Sequence, residues 1–247
     1  MVSLYGLIGF PLSHSFSKKY FEEKFLHEGL SEHQYQLFEL SDINEFSGLI
    51  EKYPELQGLN VTIPYKEAIM PFLDELDETA KIVGAVNVVK VRNKKLIGYN
   101  SDFFGFESSL LSLIRPTIND FSAIVLGTGG AAKAVLAVLK ANGIKYHMIS
   151  RSKTEQSLTY EELKHTTLIA ESNLIINTTP LGMSPNVDDF PDIAYEQLSN
   201  RHYVFDLIYN PTETKFLSKS KSQNAIIKNG LEMLQLQAEK SWEIWTS

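Results

Sequence analysis

One glycine-rich turn constrains the fold of this chain more than any other feature of its 247 residues. The turn, Gly127-Thr128-Gly129-Gly130-Ala131-Ala132, follows the apolar run 121–126 and precedes a segment with apolar residues at helical spacing. Gly-x-Gly-x-x-Ala between a strand and a helix is a dinucleotide-binding fingerprint, because glycines let the backbone approach a pyrophosphate that the helix N-terminus also attracts. An ordinary glycine-rich strand–helix turn is the alternative interpretation.

The end of the next predicted strand, residues 145–150, indicates which dinucleotide is bound. NAD-binding chains usually end this strand with Asp or Glu, which holds the ribose 2′-hydroxyl. Here Arg151, Ser152 and Lys153 follow Ser150, with no acidic residue at that position. Because Arg grips a 2′-phosphate through charge-assisted hydrogen bonds, the pattern favours NADP(H). The alternative is that Arg151 is a solvated turn residue.

Alternating strand-like and helix-like segments predict an α/β fold. Apolar and β-branched runs indicate strands at residues 4–9, 35–40, 59–63, 85–91, 96–99, 121–126, 145–150, 174–176 and 203–205. Helical spacing of apolar residues indicates helices at 15–28, 43–53, 102–111, 132–139 and 231–245. The alternation becomes regular from about residue 102, which predicts a Rossmann-type, doubly wound parallel sheet there and a domain boundary near residue 101.

Composition excludes several classes of function. The net charge of −7, with no basic cluster, argues against nucleic acid as a partner. No apolar run is long enough to span a bilayer, and the N-terminus lacks the pattern of a secretory signal. The absence of cysteine excludes thiolate chemistry, and the histidines lack metal-ligand spacing. We therefore expect a cytoplasmic protein with a small-molecule substrate and no catalytic metal.

Polar residues near the ends of the N-terminal strands form four groups: Ser13 with Ser15, Asn60 with Thr62 and Lys66, Asn87, and Asp102. Hydroxyls near a helix N-terminus fit a carboxylate, although serines there also serve as N-caps. Asn87 interrupts a run of valines, which is unfavourable in a buried strand unless its amide is hydrogen-bonded. A Lys and an Asp beside a nucleotide site predict a hydride-transfer enzyme in which this pair handles the proton.

Longer motifs follow one another in order along the chain: 9–17 (GFPLSHSFS), 58–66 (GLNVTIPYK), 84–87 (GAVN), 98–106 (GYNSDFFGF), 127–131 (GTGGA), 177–183 (NTTPLGM), 206–211 (DLIYNP) and 229–238 (NGLEMLQLQA). With these motifs, residues 9–238 resemble the shikimate dehydrogenases. The Asn-Val-Thr-x-Pro-x-Lys block is the motif most specific to that family. Ser150 departs from the family, which usually has Asn there.

The resemblance implies a two-domain architecture. Residues 1–101 and 230–247 would form an α/β substrate-binding and catalytic domain, to which the C-terminal helix returns. Residues 102–229 would form the Rossmann-type NADP domain. A cleft between the domains would carry Ser13, Ser15, Lys66, Asn87 and Asp102 on one wall.

The resemblance also implies roles for matched positions. Lys66 and Asp102 would form the catalytic pair at the reacting oxygen. The substrate would be bound by Ser13, Ser15, Thr62, Asn87, Tyr209 and Gln237, of which the two serines hold its carboxylate. NADP(H) would be bound by Gly127, Thr128, Gly129, Gly130, Ala131, Ser150, Arg151, Ser152, Lys153, Leu207 and Gly230.

The implied activity is the reversible NADPH-dependent reduction of 3-dehydroshikimate to shikimate, in chorismate and aromatic amino-acid biosynthesis, by a monomer or homodimer. Three alternatives remain. A quinate/shikimate dehydrogenase that uses NAD would not need Arg151. A non-catalytic NADP sensor would not need both Lys66 and Asp102. A dehydrogenase of the methylenetetrahydrofolate type would lack the serine pair.

Overall fold

The computed structural model describes residues 2–12, 15–114 and 121–247. The chain forms two compact units: the first unit is Met1–Asp102 with Gln237–Ser247, and the second unit is Phe103–Leu236. The sequence placed the boundaries at residues 101/102 and 229/230. The structural boundaries fall inside two helices, Ser101–Leu113 and Leu231–Thr246, which each contribute residues to both units.

The first unit contains a six-stranded mixed sheet. Its strands are β1 (Ser3–Gly9), β2 (His33–Glu39), β3 (Leu56–Val61), β4 (Glu75–Leu76), β5 (Val88–Arg92) and β6 (Lys95–Tyr99), in the order β2-β1-β3-β5-β6-β4. β1 is parallel to β2 and β3, whereas β5 is antiparallel to β3 and β6. Its helices are α1 (Phe16–His27), α2 (Phe46–Lys52) and α3 (Glu78–Val83), with 3-10 turns at Ile43–Glu45 and Met70–Phe72.

Both faces of this sheet are covered, which explains why β1 is an almost uninterrupted apolar run. Leu4 and Ile8 of β1 pack with Phe46 of α2, whereas Tyr5 of β1 packs with Phe21 of α1 and with Trp245. The Trp245 indole N–H donates to the Val89 carbonyl at 3.1 Å.

Gly58 in β3 makes the approach of Trp245 possible. A Cβ at Gly58 would lie 2.2 Å from the Trp245 ring, so any larger residue would push the C-terminal segment off the sheet.

The second unit contains six parallel strands, which confirms the predicted doubly wound sheet. They are β7 (Ser122–Leu126), β8 (Lys145–Ser150), β9 (Ser157–Thr159), β10 (Leu174–Asn177), β11 (Tyr203–Asp206) and β12 (Ile226–Lys228), in the order β12-β11-β10-β7-β8-β9. The helices that lie wholly or partly in this unit are α4 (Ser101–Leu113), α5 (Gly130–Ala141), α6 (Tyr160–Lys164), α7 (Leu168–Glu171), α8 (Lys215–Ser222) and α9 (Leu231–Thr246), with a 3-10 turn at Tyr195–Gln197.

Alternate residues of β7 enter opposite cores. Ala123 and Val125 pack on the side of α4 and α5, and Ile124 and Leu126 pack on the side of α6, α7 and α8. β7 also lies between β8 and β10, so the strand order reverses at its carboxyl end. That reversal is where nucleotide sites form in doubly wound sheets, and the glycine-rich turn begins there at Gly127.

Within the described ranges, no helix combines the length and the apolar character that crossing a membrane would require. Several predicted strands have other bounds in the structure, and two of these differences fall at candidate site residues. The segment predicted at 59–63 is β3 and ends at Val61, so Thr62 lies beyond the strand. The segment predicted at 85–91 begins at Val88.

Candidate active site

Lys66 and Asp102 form a close ion pair in the first unit. Lys66 lies in the turn after β3, and Asp102 lies in the first turn of α4. The Lys66 Nζ is 2.6 Å from Asp102 Oδ2, with the side chains 29% and 15% exposed. The pair is thus largely shielded but open to a small molecule. Its short N–H···O⁻ contact orients the ammonium group.

Backbone and side-chain bonds hold the turn that carries Lys66. The buried Tyr65 hydroxyl donates to the Leu40 carbonyl at 2.6 Å. The Lys66 carbonyl accepts from the Val86 N–H at 2.7 Å, which ties the turn to the segment just before β5. The Lys66 backbone is therefore held from both sides.

Asn87 is buried and all of its polar atoms have partners. Its Oδ1 accepts from the Ser101 backbone N–H at 2.7 Å, and its Nδ2 donates to Ser101 Oγ at 3.1 Å and to Gln237 Oε1 at 3.3 Å. The amide is satisfied, as the sequence required of an Asn in a valine run. Because Ser101 precedes Asp102, Asn87 also fixes the start of α4 that carries the carboxylate.

The same bonds continue into a larger cluster, here called the polar network, which consists of Tyr35, Asn60, Asn87, Ser101, Gln237 and Ser241. The Tyr35 hydroxyl donates to Asn60 Oδ1 at 2.7 Å, and Asn60 Nδ2 donates to Ser241 Oγ at 3.0 Å. Ser241 Oγ lies 3.3 Å from Ser101 Oγ and donates to the Gln237 carbonyl at 2.8 Å. Residues of α9 thus complete the site in the first unit, and the predicted return of the helix is confirmed.

Of the two serines predicted to bind a carboxylate, the structure describes Ser15. Ser13 lies outside the described residues. Ser15 occupies the N-cap position of α1, yet its side chain makes no capping bond. Its Oγ is buried and has no hydrogen-bond partner within the described ranges. A hydroxyl in this state is available to a ligand, so N-capping does not account for Ser15.

Thr62 follows β3 and is half-buried. Its methyl group packs so closely on Gly9 that a Cβ at Gly9 would lie 2.4 Å from it. This contact sets the position of Thr62 next to the loop that leads to Ser15. Its role in binding substrate stays a prediction.

A cavity of about 370 Å³ opens at the carboxyl end of β7 in the second unit. Gly127 adopts φ +106°, and its N–H donates to the Ile149 carbonyl at 2.8 Å. A Cβ there would lie 2.7 Å from Thr178 Oγ1, so a side chain is excluded by both conformation and space. At Gly129 and Gly130, by contrast, a Cβ would meet nothing within 4 Å, which leaves the backbone open to a ligand.

The predicted cofactor residues are placed differently around this cavity. Five of them line it: Gly127, Thr128, Gly129, Ser150 and Arg151. Gly130 and Ala131 are exposed in the first turn of α5, and Ser152 and Lys153 are exposed in the turn after β8. The Lys153 ammonium pairs with the Glu162 carboxylate. The Ser150 hydroxyl donates to the Ser152 carbonyl and lies 3.0 Å from Ser157 Oγ.

Sequence reasoning did not assign the remaining lining residues, which are Tyr160, Thr178, Thr179, Pro180 and Leu181. The last four lie in a motif that supported the resemblance, so that motif was the available signal. No sequence signal pointed to Tyr160, because the strand before it, β9, has three residues and no apolar periodicity.

The two remaining cofactor positions, Leu207 and Gly230, touch each other. A Cβ at Gly230 would lie 2.0 Å from the Leu207 carbonyl oxygen, and the Gly230 N–H donates to the Ile208 carbonyl at 3.0 Å. Only glycine permits this approach. Tyr209, predicted to contact substrate, belongs to the second unit, and partial burial raises the pKa of its hydroxyl.

Asp206 anchors the segment that carries these residues. Its Oδ1 accepts from Asn177 Nδ2 at 3.0 Å and from the Ile208 N–H at 3.1 Å, and its Oδ2 accepts from the Thr214 hydroxyl at 2.6 Å. Burial raises the pKa of Asp206 to about 6, although these three hydrogen bonds oppose the shift.

Comparison with known proteins agrees with this arrangement. A family model described as "Shikimate dehydrogenase substrate binding domain" matches residues 7–89. A curated NADP(+) shikimate dehydrogenase of Clostridium beijerinckii is 42% identical over 99% of this chain and 92% of its own length. The chain belongs to the shikimate dehydrogenase family.

Solved structures of shikimate dehydrogenases share its fold. One in complex with NADP+ is 34% identical, covers 99% of this chain and 90% of its own, and superposes with a TM-score of 0.86. The enzyme of Listeria monocytogenes in complex with shikimate and NAD is 29% identical, with a TM-score of 0.90 over 99% and 92% of the two chains.

Proposed function

We propose that this member of the shikimate dehydrogenase family reduces 3-dehydroshikimate to shikimate with NADPH, reversibly, in chorismate and aromatic amino-acid biosynthesis. The Lys66–Asp102 pair, at 2.6 Å, is the observation that carries the proposal. A ketone reductase needs a proton donor next to the oxygen that becomes a hydroxyl, and an ammonium group held by a carboxylate is such a donor. Lys66 lies within residues 7–89, which match the substrate-binding family model, and Asp102 lies in the same unit.

The second unit has a site that fits a dinucleotide. The cavity of about 370 Å³ joins the glycine-rich turn to Arg151, and Gly129 and Gly130 leave it unobstructed. Backbone N–H groups at the start of α5 would hold the pyrophosphate, and Arg151 would hold the adenosine 2′-phosphate. Held there, the cofactor would supply the hydride that reduces the ketone carbon.

The residues of the first unit account for the rest of the chemistry. Lys66 donates its proton to the carbonyl oxygen in reduction and takes a proton from the hydroxyl in oxidation. Asp102 accepts a hydrogen bond from Lys66 Nζ and keeps the amine beside the reacting oxygen. The unpaired Ser15 hydroxyl, together with Ser13, binds the substrate carboxylate.

Ring hydroxyls of the substrate are bound by the amides of Asn87 and Gln237, with Thr62 and Tyr209. The polar network holds both amides before substrate arrives, which reduces the entropy lost on binding. These assignments place the proton-transfer groups and all of the hydroxyl-binding groups except Tyr209 on the first unit.

A steady-state assay tests the proposal. Purified protein is mixed with shikimate or quinate and with NADP+ or NAD+, and formation of reduced nicotinamide is followed by absorbance. We expect the highest kcat/KM for shikimate with NADP+. No turnover with shikimate would overturn the activity, and a preference for NAD+ would overturn the cofactor assignment.

A further inference from the structure

The groups expected to hold the 2′-phosphate of NADP(H) are partly engaged elsewhere. The Ser150 hydroxyl donates to the Ser152 carbonyl, and the Lys153 ammonium pairs with Glu162. Glu162 is itself fixed by the Thr159 backbone N–H, which donates to its carboxylate at 2.9 Å. Among the cavity-lining residues predicted for this phosphate, Arg151 supplies the charge.

Tyr160 lines the same cavity from the neighbouring strand connection. β9 pairs with β8 in parallel, with Thr159 opposite Ser150, so Tyr160 lies just beyond the end of β8, beside Arg151. Its hydroxyl is buried and has no hydrogen-bond partner anywhere in the described parts of the chain. Buried hydroxyls are rarely left without a partner, so the missing acceptor calls for an explanation.

Two further observations indicate what the acceptor is. Burial raises the pKa of Tyr160 to about 12, so at neutral pH the hydroxyl keeps its proton and can donate it. The positive charge of Arg151 reaches this hydroxyl and opposes part of that rise. Arg151 and Tyr160 both line this cavity, where an anionic ligand group would meet the cation and the unused donor.

We propose that the Tyr160 hydroxyl donates a hydrogen bond to the 2′-phosphate of NADP(H) beside Arg151, and that Tyr160 thereby helps to select NADP over NAD. This inference rests on the proposed NADP dependence and adds a specificity residue to it.

Tyr195 provides a matched control in the same unit. It is also a partly buried tyrosine, but its hydroxyl already donates to the Pro191 carbonyl at 2.7 Å, and it does not line the cavity. Replacing each tyrosine with Phe removes one hydroxyl. In Tyr195→Phe a satisfied hydrogen bond is lost, whereas in Tyr160→Phe none is lost from the free protein.

The test is calorimetric titration with 2′,5′-ADP, which carries the 2′-phosphate, and with 5′-ADP, which lacks it. We expect Tyr160→Phe to weaken 2′,5′-ADP roughly 10-fold, the lower range for a hydrogen bond to a charged group, and to leave 5′-ADP unchanged. Its melting temperature should equal or exceed that of the parent protein. Tyr195→Phe should bind both nucleotides normally and melt earlier.

Two results would overturn the inference while leaving the proposed function intact. One is a Tyr160→Phe variant that binds 2′,5′-ADP as tightly as the parent. The other is equal weakening of both nucleotides, which would make Tyr160 a support of the cavity wall. A parent protein that binds the two nucleotides equally would instead overturn the NADP dependence itself, and the role of Tyr160 with it.

Discussion

Asn87 and the Lys66–Asp102 pair of the first unit differ from the cofactor cavity of the second unit in how far their polar groups are already hydrogen-bonded. In the first unit, Asn87 has a partner for every amide atom, and Lys66 is already paired with Asp102. In the second unit, the cavity wall leaves Gly129 open and the Tyr160 hydroxyl unpaired. Chemistry needs groups held in place beforehand, whereas a large cofactor brings its own acceptors. Substitutions should therefore divide into those that change turnover or stability and those that change cofactor affinity.

Lys66→Ala should give the largest effect and should confine it to turnover. Loss of a general acid/base lowers kcat by roughly 10²–10⁴-fold, with little change in shikimate affinity. Steady-state kinetics and shikimate titration measure the two quantities separately. Lys95→Ala is the control, because Lys95 forms an exposed ion pair with Glu75 at 2.7 Å, a kind of pair that contributes little. Near-normal kcat in the Lys66 variant would refute its catalytic role.

Arg151→Ala should act on the cofactor alone. A lost charge-assisted contact costs roughly 1.5–3 kcal/mol, or about 10–150-fold in NADP affinity, and NAD affinity should barely change. Arg201→Ala is the control, since Arg201 is an exposed arginine of the second unit whose guanidinium donates to the Ala170 carbonyl. Equal weakening of NADP and NAD by the Arg151 variant would show that Arg151 is structural.

Asn87→Ala sharpens the contrast between the two sites. It leaves the Ser101 backbone N–H without its acceptor in a buried place, which costs roughly 1–3 kcal/mol of unfolding free energy. Urea unfolding measures that loss, and Tyr160→Phe serves as the counterpart that should lose none. A stable Asn87→Ala variant would mean that the polar network does not hold the first unit together.

Asp206→Asn should change the pH dependence of stability by a smaller amount. The folded pKa is raised from 3.8 to about 6, so the folded protein binds this proton more tightly than the unfolded chain does. Its stabilising contribution is full below the unfolded value and is lost as pH rises through about 6. From pH 7 to pH 5, the unfolding free energy of the parent should therefore rise by about 1 kcal/mol relative to that of the variant. A difference independent of pH would contradict the assignment.

The fold was most predictable where local patterns were strong. The sequence placed β8 at residues 145–150 and ended the preceding helix, α5, at Asn142 and Gly143, as the structure has them. In both places the pattern changes sharply: helical periodicity ends at Asn142-Gly143, and a strand-like run begins at Lys145. The segments that the sequence missed include α3, β9 and α6, which are too short to show a period.

The site was predictable only where single residues carried the chemistry. Lys66 and Asp102 were assigned from their types and from the family motifs, and they lie in contact. Ser241 escaped notice because, between Lys240 and Trp242, it resembles any surface serine of a helix. Its contact with Asn60, 181 residues away in sequence, exists only once α9 has returned to the first unit.

That return also sets an order for assembly during translation. A ribosome synthesises residues 1–102 first and reaches Trp245 only after the whole second unit has been made. Until then β3 presents Gly58 without the indole that covers it, and Asn60 lacks Ser241. Domains usually mature in the order of synthesis, N-terminal first. In this protein the first unit lacks residues 237–247 until synthesis ends, so the nucleotide-binding unit is the first to have all of its residues.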